Sequence, residues 1–263
     1  MTIQFFSGGV DRDQLVPLGF RAGARGTHTS RTMMLEELTA VLNECPSDAD
    51  RGRYAEAIID GNCLGKTTAA TRRLSNQRLG ELYALDPGVP LFRVLRKVWS
   101  VDPVGRPLIA LACALARDPL LAATADAVLP LSPGDELSRD SLTSALRAMV
   151  GSRLNEATLD KVVRNTASSW SQAGHLEGRT FKRRREVQPT AGSVAYGLFL
   201  AFRSGFRGEQ LFSNGWTLLL DCPVLGVREL ALEAKRQGLL DLRVSGDVVD
   251  ISFARLDPLG SEG

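Results

Sequence analysis

Apolar residues recur at helical spacing along most of this chain. In "TSRTMMLEELTAVLNE" the positions Met34, Leu35, Leu38, Val41 and Leu42 fall three to four apart, which predicts a helix opened by a Ser or Thr cap. "PSDADRGRYAEAIID" predicts a second helix, capped near Ser47 or Asp48 and stopped at Gly61. A third should run from Thr67 or Thr68 to about Leu82, with Pro87 and Pro90 closing the unit. On it Ala70, Leu74 and Leu82 share one side, and Lys66, Thr68, Arg72, Arg73 and Asn76 share the other.

The pattern changes at "VDPVGRPLIALACALARDPLLAATADAVLPLSPGDE", which is apolar and poor in charge and reads as packed helices joining two units. Prolines and Gly134 mark a boundary near residues 130–135. Beyond it "SRDSLTSALRAMVG" predicts a helix capped at Ser138 or Asp140. "LNEATLDKVVRNTASSWSQAG" predicts another, capped at Asn155 and stopped at Gly174. Leu159, Val162, Val163, Thr166, Trp170 and Ala173 form its apolar stripe, with Lys161, Arg164, Asn165 and Ser168 opposite. "HLEGRTFKRRREVQPT" then predicts a short hairpin around Lys182, Arg183, Arg184 and Arg185; adjacent residues on a strand face opposite sides. The last segment predicts helices at "SVAYGLFLAFRSG", "SNGWTLLLD" and "GVRELALEAKRQG". A hairpin should follow, turning at Gly246-Asp247, with Leu242, Val244, Val249, Ile251 and Phe253 available for a core and Asp247 and Asp250 on an acidic tip.

The expected architecture is mainly α, built from helix-turn-helix and winged-helix-like units with short β-hairpin wings. Residues 1–100 form an N-terminal helix-turn-helix unit with a basic arm (Arg12, Arg21, Arg25, Arg31), and 101–134 a helical connector. Residues 135–190 form a second winged unit and 191–263 a C-terminal winged-helix-like unit.

Composition narrows the chemistry. The chain has 263 residues, 44% hydrophobic and 24% charged, an ordinary globular balance. Net charge is only +2, so a basic function must come from local clusters. Cys45, Cys63, Cys113 and Cys222 are dispersed without a C-x-x-C pair, and His28 and His175 lie far apart, so neither zinc nor another metal or cofactor is expected. The thiols fit a reduced, cytoplasmic protein. The N-terminus lacks the basic start and apolar run of a signal peptide, and "PLIALACALA" is about half the length of a membrane span, so no membrane association is expected.

Gly65-Lys66-Thr67 carries the last letters of a phosphate-binding loop, but the earlier glycine, Gly61, is one residue too close and Asp60 stands where a glycine is needed. "WTLLLD" imitates an apolar strand ending in a magnesium-binding Asp, yet Ser213-Asn214 before it read as a helix cap. Ser169-Trp170-Ser171 lacks the glycines of a nucleophile elbow. Neither histidine stands in a Ser, Cys or Asp pattern that singles it out, and His175 after Gly174 is expected in a turn. No catalytic residue is expected.

The basic positions suit nucleic acid better: cations for phosphates, Arg and Asn for base edges. Between Gly61 and Ser100 seven Lys/Arg stand against two Asp/Glu. "NCLGKTTAATRRL" and "LYALDP" resemble the BrxA-type proteins of bacterial BREX phage-defence systems, through Asn62, Leu64, Lys66, Thr67, Thr71 and Arg72. The likeness covers roughly residues 5–100. It implies a mostly helical, DNA-binding, non-catalytic component acting beside other defence-system proteins. The reading is therefore a double-stranded DNA-binding protein using Lys66, Thr68, Arg72, Arg73, Asn76, Lys161, Arg164, Asn165, Lys182, Arg183, Arg184 and Arg185. The alternatives are a protein-interaction scaffold built of winged helices, or a nucleotide-binding protein using the Lys66 loop.

Overall fold

The apolar spacing at residues 34–42 becomes helix α1, Leu35–Glu44, burying Leu38, Val41 and Leu42. In the computed structural model, residues 2–245 and 248–260 are described, apart from the side chains of residues 244, 245 and 248. No Ser or Thr caps α1: the chain enters it through Met34 in a left-handed conformation (φ 55°). Helix α2, Arg51–Ile59, starts at Asp50 rather than Ser47 or Asp48, because the Asp50 carboxylate accepts the Arg53 N–H at 2.8 Å. After α2 the left-handed positions are Asn62 (φ 51°) and Gly65 (φ 62°), not Gly61. Asn62 tolerates this because its Oδ1 accepts the Lys66 N–H at 2.8 Å.

Helix α3, Ala69–Tyr83, is capped by Thr68, whose Oγ1 accepts the Thr71 N–H at 3.1 Å. Its buried stripe is Ser75, Leu79, Leu82 and Tyr83, whereas Ala70 and Leu74 are exposed. Only the later turns of α3 reach the core, so apolar residues in its first turns have nothing to pack against.

Helices α4, Pro90–Val101, and α5, Arg106–Arg117, each begin with proline in the first turn, where the missing N–H is no loss. Every residue of α5 from Leu108 onward is buried, as the charge-poor sequence predicts for a packed helix. Short helices α6, Pro119–Ala122, and α7, Ala125–Val128, lead to α8, Arg139–Val150, and α9, Glu156–Gln172. Two-residue strands β1, Leu176–Glu177, and β2, Arg183–Arg184, follow. Then come α10, Ala191–Arg203, α11, Gly215–Leu218, and α12, Val224–Arg236, and strands β3, Asp241–Ser245, and β4, Val248–Ser252. The protein is thus mainly helical with two small antiparallel hairpins, β1-β2 and β3-β4.

One continuous cluster of buried side chains runs from Leu15 to Leu256. Helix α10 lies at its centre, against α4, α5, α11 and α12, while α5 also packs on α3. The Tyr196 hydroxyl donates to the Leu91 carbonyl at 3.1 Å, tying α10 to α4. The N-terminal arm is drawn into this core: Phe5, Phe6 and Phe20 set their edges around Trp216, with ring centres 4.8, 6.4 and 6.1 Å away. Truncating an aromatic so packed costs about 3–5 kcal/mol. Leu242, Val249, Ile251 and Phe253 of the last hairpin are buried as expected, with Leu242 registered on Ile251. The expected turn at Gly246-Asp247 and the Val244 side chain lie outside the described residues. No single helix is long and apolar enough to cross a membrane.

Candidate nucleic-acid interface

Helix α9 opens at Asn155, whose Oδ1 accepts the Thr158 N–H at 2.8 Å. Its predicted apolar stripe from Leu159 to Ala173 is buried, which leaves Lys161 and Arg164 on the outer face. Arg164 lies 3.3 Å from Asp160, which Arg139 of α8 also contacts, and the exposed Glu156 one turn earlier pairs with Arg147, so carboxylates share this face with its cations. Asn165 is turned away from it: its amide donates to the His28 carbonyl at 2.8 Å and pins the N-terminal arm to α9. It is a structural contact, not a free base reader.

After α9, Gly174 (φ 93°) turns the chain into the hairpin, where Leu176 pairs with Arg184 and Glu177 with Arg183. The turn at Gly178 (φ 92°) requires glycine, since a Cβ there would stand 2.2 Å from the Phe181 carbonyl oxygen. Strand alternation then sorts the basic run. Arg183 and Arg185 are exposed; Arg184 is only 4% exposed, turned inward onto Asp221 and the Arg185 carbonyl. Asp221 also accepts the Val187 N–H at 3.0 Å, so the pair anchors the hairpin's base. Arg184, expected to face DNA, therefore points into the protein instead. Lys182 is half-buried with its ammonium donating to Ser171 Oγ at 2.9 Å, so it serves the α9–hairpin joint. Two exposed residues of this hairpin escaped the sequence reading: Arg179, and Phe181 at 67% exposure. Their signal was the Gly178 turn, which places both at the tip.

The α3 set is more scattered. Lys66 pairs with Glu37 at 3.0 Å, and Thr68 spends its hydroxyl oxygen on the helix cap. Arg73 is exposed, but Arg72 lies beside the buried stripe with its Nε enclosed and unpartnered. Asn76 faces a cleft beside Arg21 and Arg51. The five residues thus do not share one outward face. Among the described residues, no hydrogen bond or ion pair joins the α3 set to the hairpin set.

The fold also assembles what the sequence concealed. His28 Nδ1 lies 2.7 Å from Asp118 Oδ2, and His28 Nε2 lies 2.8 Å from Ser169 Oγ. This is the connectivity of a Ser-His-Asp triad, made from residues that stand far apart in the chain. Its surroundings are those of a structural tie. All three side chains are buried, at 0%, 1% and 0% exposure for His28, Asp118 and Ser169. Ser169 Oγ already accepts the Met33 N–H at 2.8 Å and lies 2.9 Å from the Asn165 carbonyl. Asp118 caps α6, accepting the Leu120 and Leu121 N–H groups at 3.0 and 3.3 Å. Burial opposes the Asp118 charge, but His28 and these N–H donors hold its carboxyl below the usual range. Ser169 sits inside α9, whose backbone N–H groups are committed to the helix and cannot form an oxyanion hole.

His175 is likewise more than a turn residue. It is fully buried, donates from Nε2 to the Leu219 carbonyl at 2.9 Å, and stands edge-on to Trp170. Burial pulls its pKa down to about 4. Among the described residues, no group of three or more His, Cys, Asp or Glu is placed to hold a metal ion.

No protein-family model matches this chain, and no curated protein matches it.

Proposed function

We propose that this protein binds double-stranded DNA without catalysis, through the outer face of α9 and the hairpin that follows it. The observation that carries this reading is the sorting of the basic run. Arg184 anchors the hairpin from within, which holds Arg183 and Arg185 outward beside Arg179 and the exposed Phe181. A wing so held offers guanidiniums to a phosphate backbone and an aromatic ring to a groove or base. Lys161 and Arg164 extend the surface along α9, and Arg73 and Thr68 supply a second exposed patch on α3. The non-catalytic part of the proposal is supported by the closed surroundings of His28, Asp118 and Ser169. Neither metal nor cofactor enters it. The likeness of residues 62–72 to BrxA-type proteins supports a place among the cytoplasmic components of a bacterial phage-defence system.

A second reading applies to the C-terminal unit. On α12 Leu225 is 75% and Leu232 44% exposed, seven residues apart on one helix face. That stripe favours a protein partner for this end of the molecule. An electrophoretic shift with random-sequence duplex at two salt concentrations tests the main proposal. Binding at low salt that falls steeply with added salt is expected. Absence of a shift at low salt leaves the scaffold reading in its place.

A further inference from the structure

A cleft of about 310 Å³ lies beside α2 and α3, lined by Arg21, Arg51, Asn76, Gln77, Glu81 and Arg117 among others. Three guanidiniums border it against one carboxylate. That carboxylate is already neutralised: Glu81 accepts from Arg78 at 2.7 Å, Thr27 at 2.8 Å and Gln77 at 3.0 Å. Burial works against the Glu81 charge, yet these hydrogen bonds hold its carboxyl below the usual range.

Helix α3 ends at the cleft, and its carbonyl groups would ordinarily repel an anion. Here they are covered. Arg117 donates to the Gly80 and Glu81 carbonyls at 3.2 Å each, and to that of Gly19; Arg21 donates to Glu81 O at 3.3 Å. Arg117 is nine-tenths buried, and among the described residues no carboxylate pairs with it. Burial makes that charge costly and lowers its pKa from the ordinary value. Above it, the Arg51 guanidinium and the Asn76 amide carry no hydrogen bond or ion pair among the described residues. Ala55, Ala84 and Leu85 supply an apolar wall.

We propose that this cleft binds a small organic phosphate of about mononucleotide size. Arg21 and Arg51 meet the phosphate at the mouth, Arg117 supplies positive charge from beneath, and Asn76 and the apolar wall receive the organic part. Planar guanidinium forks suit phosphate oxygens, and an Asn amide pairs a donor with an acceptor for a heterocycle edge. The site is separate from the Lys66 loop, and the proposal stands whether or not the protein binds DNA.

Adenosine monophosphate, adenosine and inorganic phosphate serve as calorimetric probes of the full chain at low salt. Adenosine monophosphate should saturate one site, and adenosine should fail to. Arg51→Gln and Asn76→Ala, both changes at solvent-reachable side chains, should each weaken binding by about tenfold, the worth of one charge-assisted or bidentate contact. Lys66→Ala should leave it unchanged. Failure of adenosine monophosphate to saturate at millimolar concentration overturns the proposal. So does equal binding of adenosine, or unchanged affinity in Arg51→Gln. If Arg51→Gln weakens duplex binding while neither phosphate probe binds, the cleft belongs to a DNA surface and the proposal fails.

Discussion

Arg184 and its neighbours make opposite predictions from adjacent positions. Replacing Arg184 with Ala leaves Asp221 with the Val187 N–H as its remaining partner in a site where its side chain is 12% exposed. Breaking a buried pair from one side costs about 3–5 kcal/mol, and the slight exposure of Asp221 favours the lower end, about 3 kcal/mol. For a chain of this size that is roughly 6–12 °C of melting temperature. Arg183→Ala with Arg185→Ala should barely move the melt. Arg183 is exposed and its contact to Glu136 spans 3.8 Å, a surface pair worth under about 1 kcal/mol. Duplex affinity should behave in reverse, falling in the folded double variant. Thermal melts followed by circular dichroism, with duplex titration of each folded protein, provide the assay. Should Arg184→Ala prevent folding, Arg184→Lys keeps a cation against Asp221 and should recover part of the loss. An Arg184→Ala protein that melts like the wild type, yet loses duplex affinity, would refute the inward placement and the reasoning built on it.

Three other outcomes follow from the buried groups and the hairpin tip. Ser169→Ala should destabilise by about 1–3 kcal/mol, since it orphans the buried Met33 N–H, and the wild type should not be labelled by a fluorophosphonate probe; rapid labelling at Ser169 would mean the triad opens to solvent. His175 stays neutral in the fold until about pH 4, while the unfolded chain takes up its proton near pH 6.5. Its stability contribution is thus full above pH 6.5 and is lost as pH falls toward 4, up to about 3 kcal/mol, whereas the Asp118 contribution is lost only below the ordinary carboxylate range. Denaturant melts across that window should lose this slope in His175→Asn, and an unchanged slope would contradict the assignment. Phe181→Ala should weaken duplex binding without altering the melt, because the ring is 67% exposed; unchanged affinity would leave it without a role at the wing.

Much of the helical order was readable because burial follows period. The stripe from Leu159 to Ala173 and the unbroken apolar run of α5 both bury as their spacing requires. Helix α3 misleads for a physical reason: Ala70 and Leu74 look like a core face, but the helix packs through Ser75 and the residues after it. The spacing of the basic run sets its cations on opposite sides of a strand, toward phosphate and toward water; the burial of Arg184 is not legible there, because its partner Asp221 lies 37 residues away. A still longer separation hides the triad-like tie, whose Ser169 and His28 are 141 residues apart. Asp118 gave a local hint, as an acid before Pro119 at a helix start. The cleft mixes the arm, α2, α3 and α5, so no single window of sequence contains it.

The central claim is that the wing's outward cations meet DNA phosphates. Its most direct test is the salt dependence of affinity for a random duplex, measured for the wild type and for a variant with Arg179, Arg183 and Arg185 all changed to Ala. Each lost phosphate contact removes roughly one unit from the slope of log affinity against log salt. The account predicts duplex binding by the wild type, and a slope shallower by about two to three units in a variant that folds normally. A folded variant with the wild-type slope, or a wild type that does not bind duplex at low salt, would contradict it.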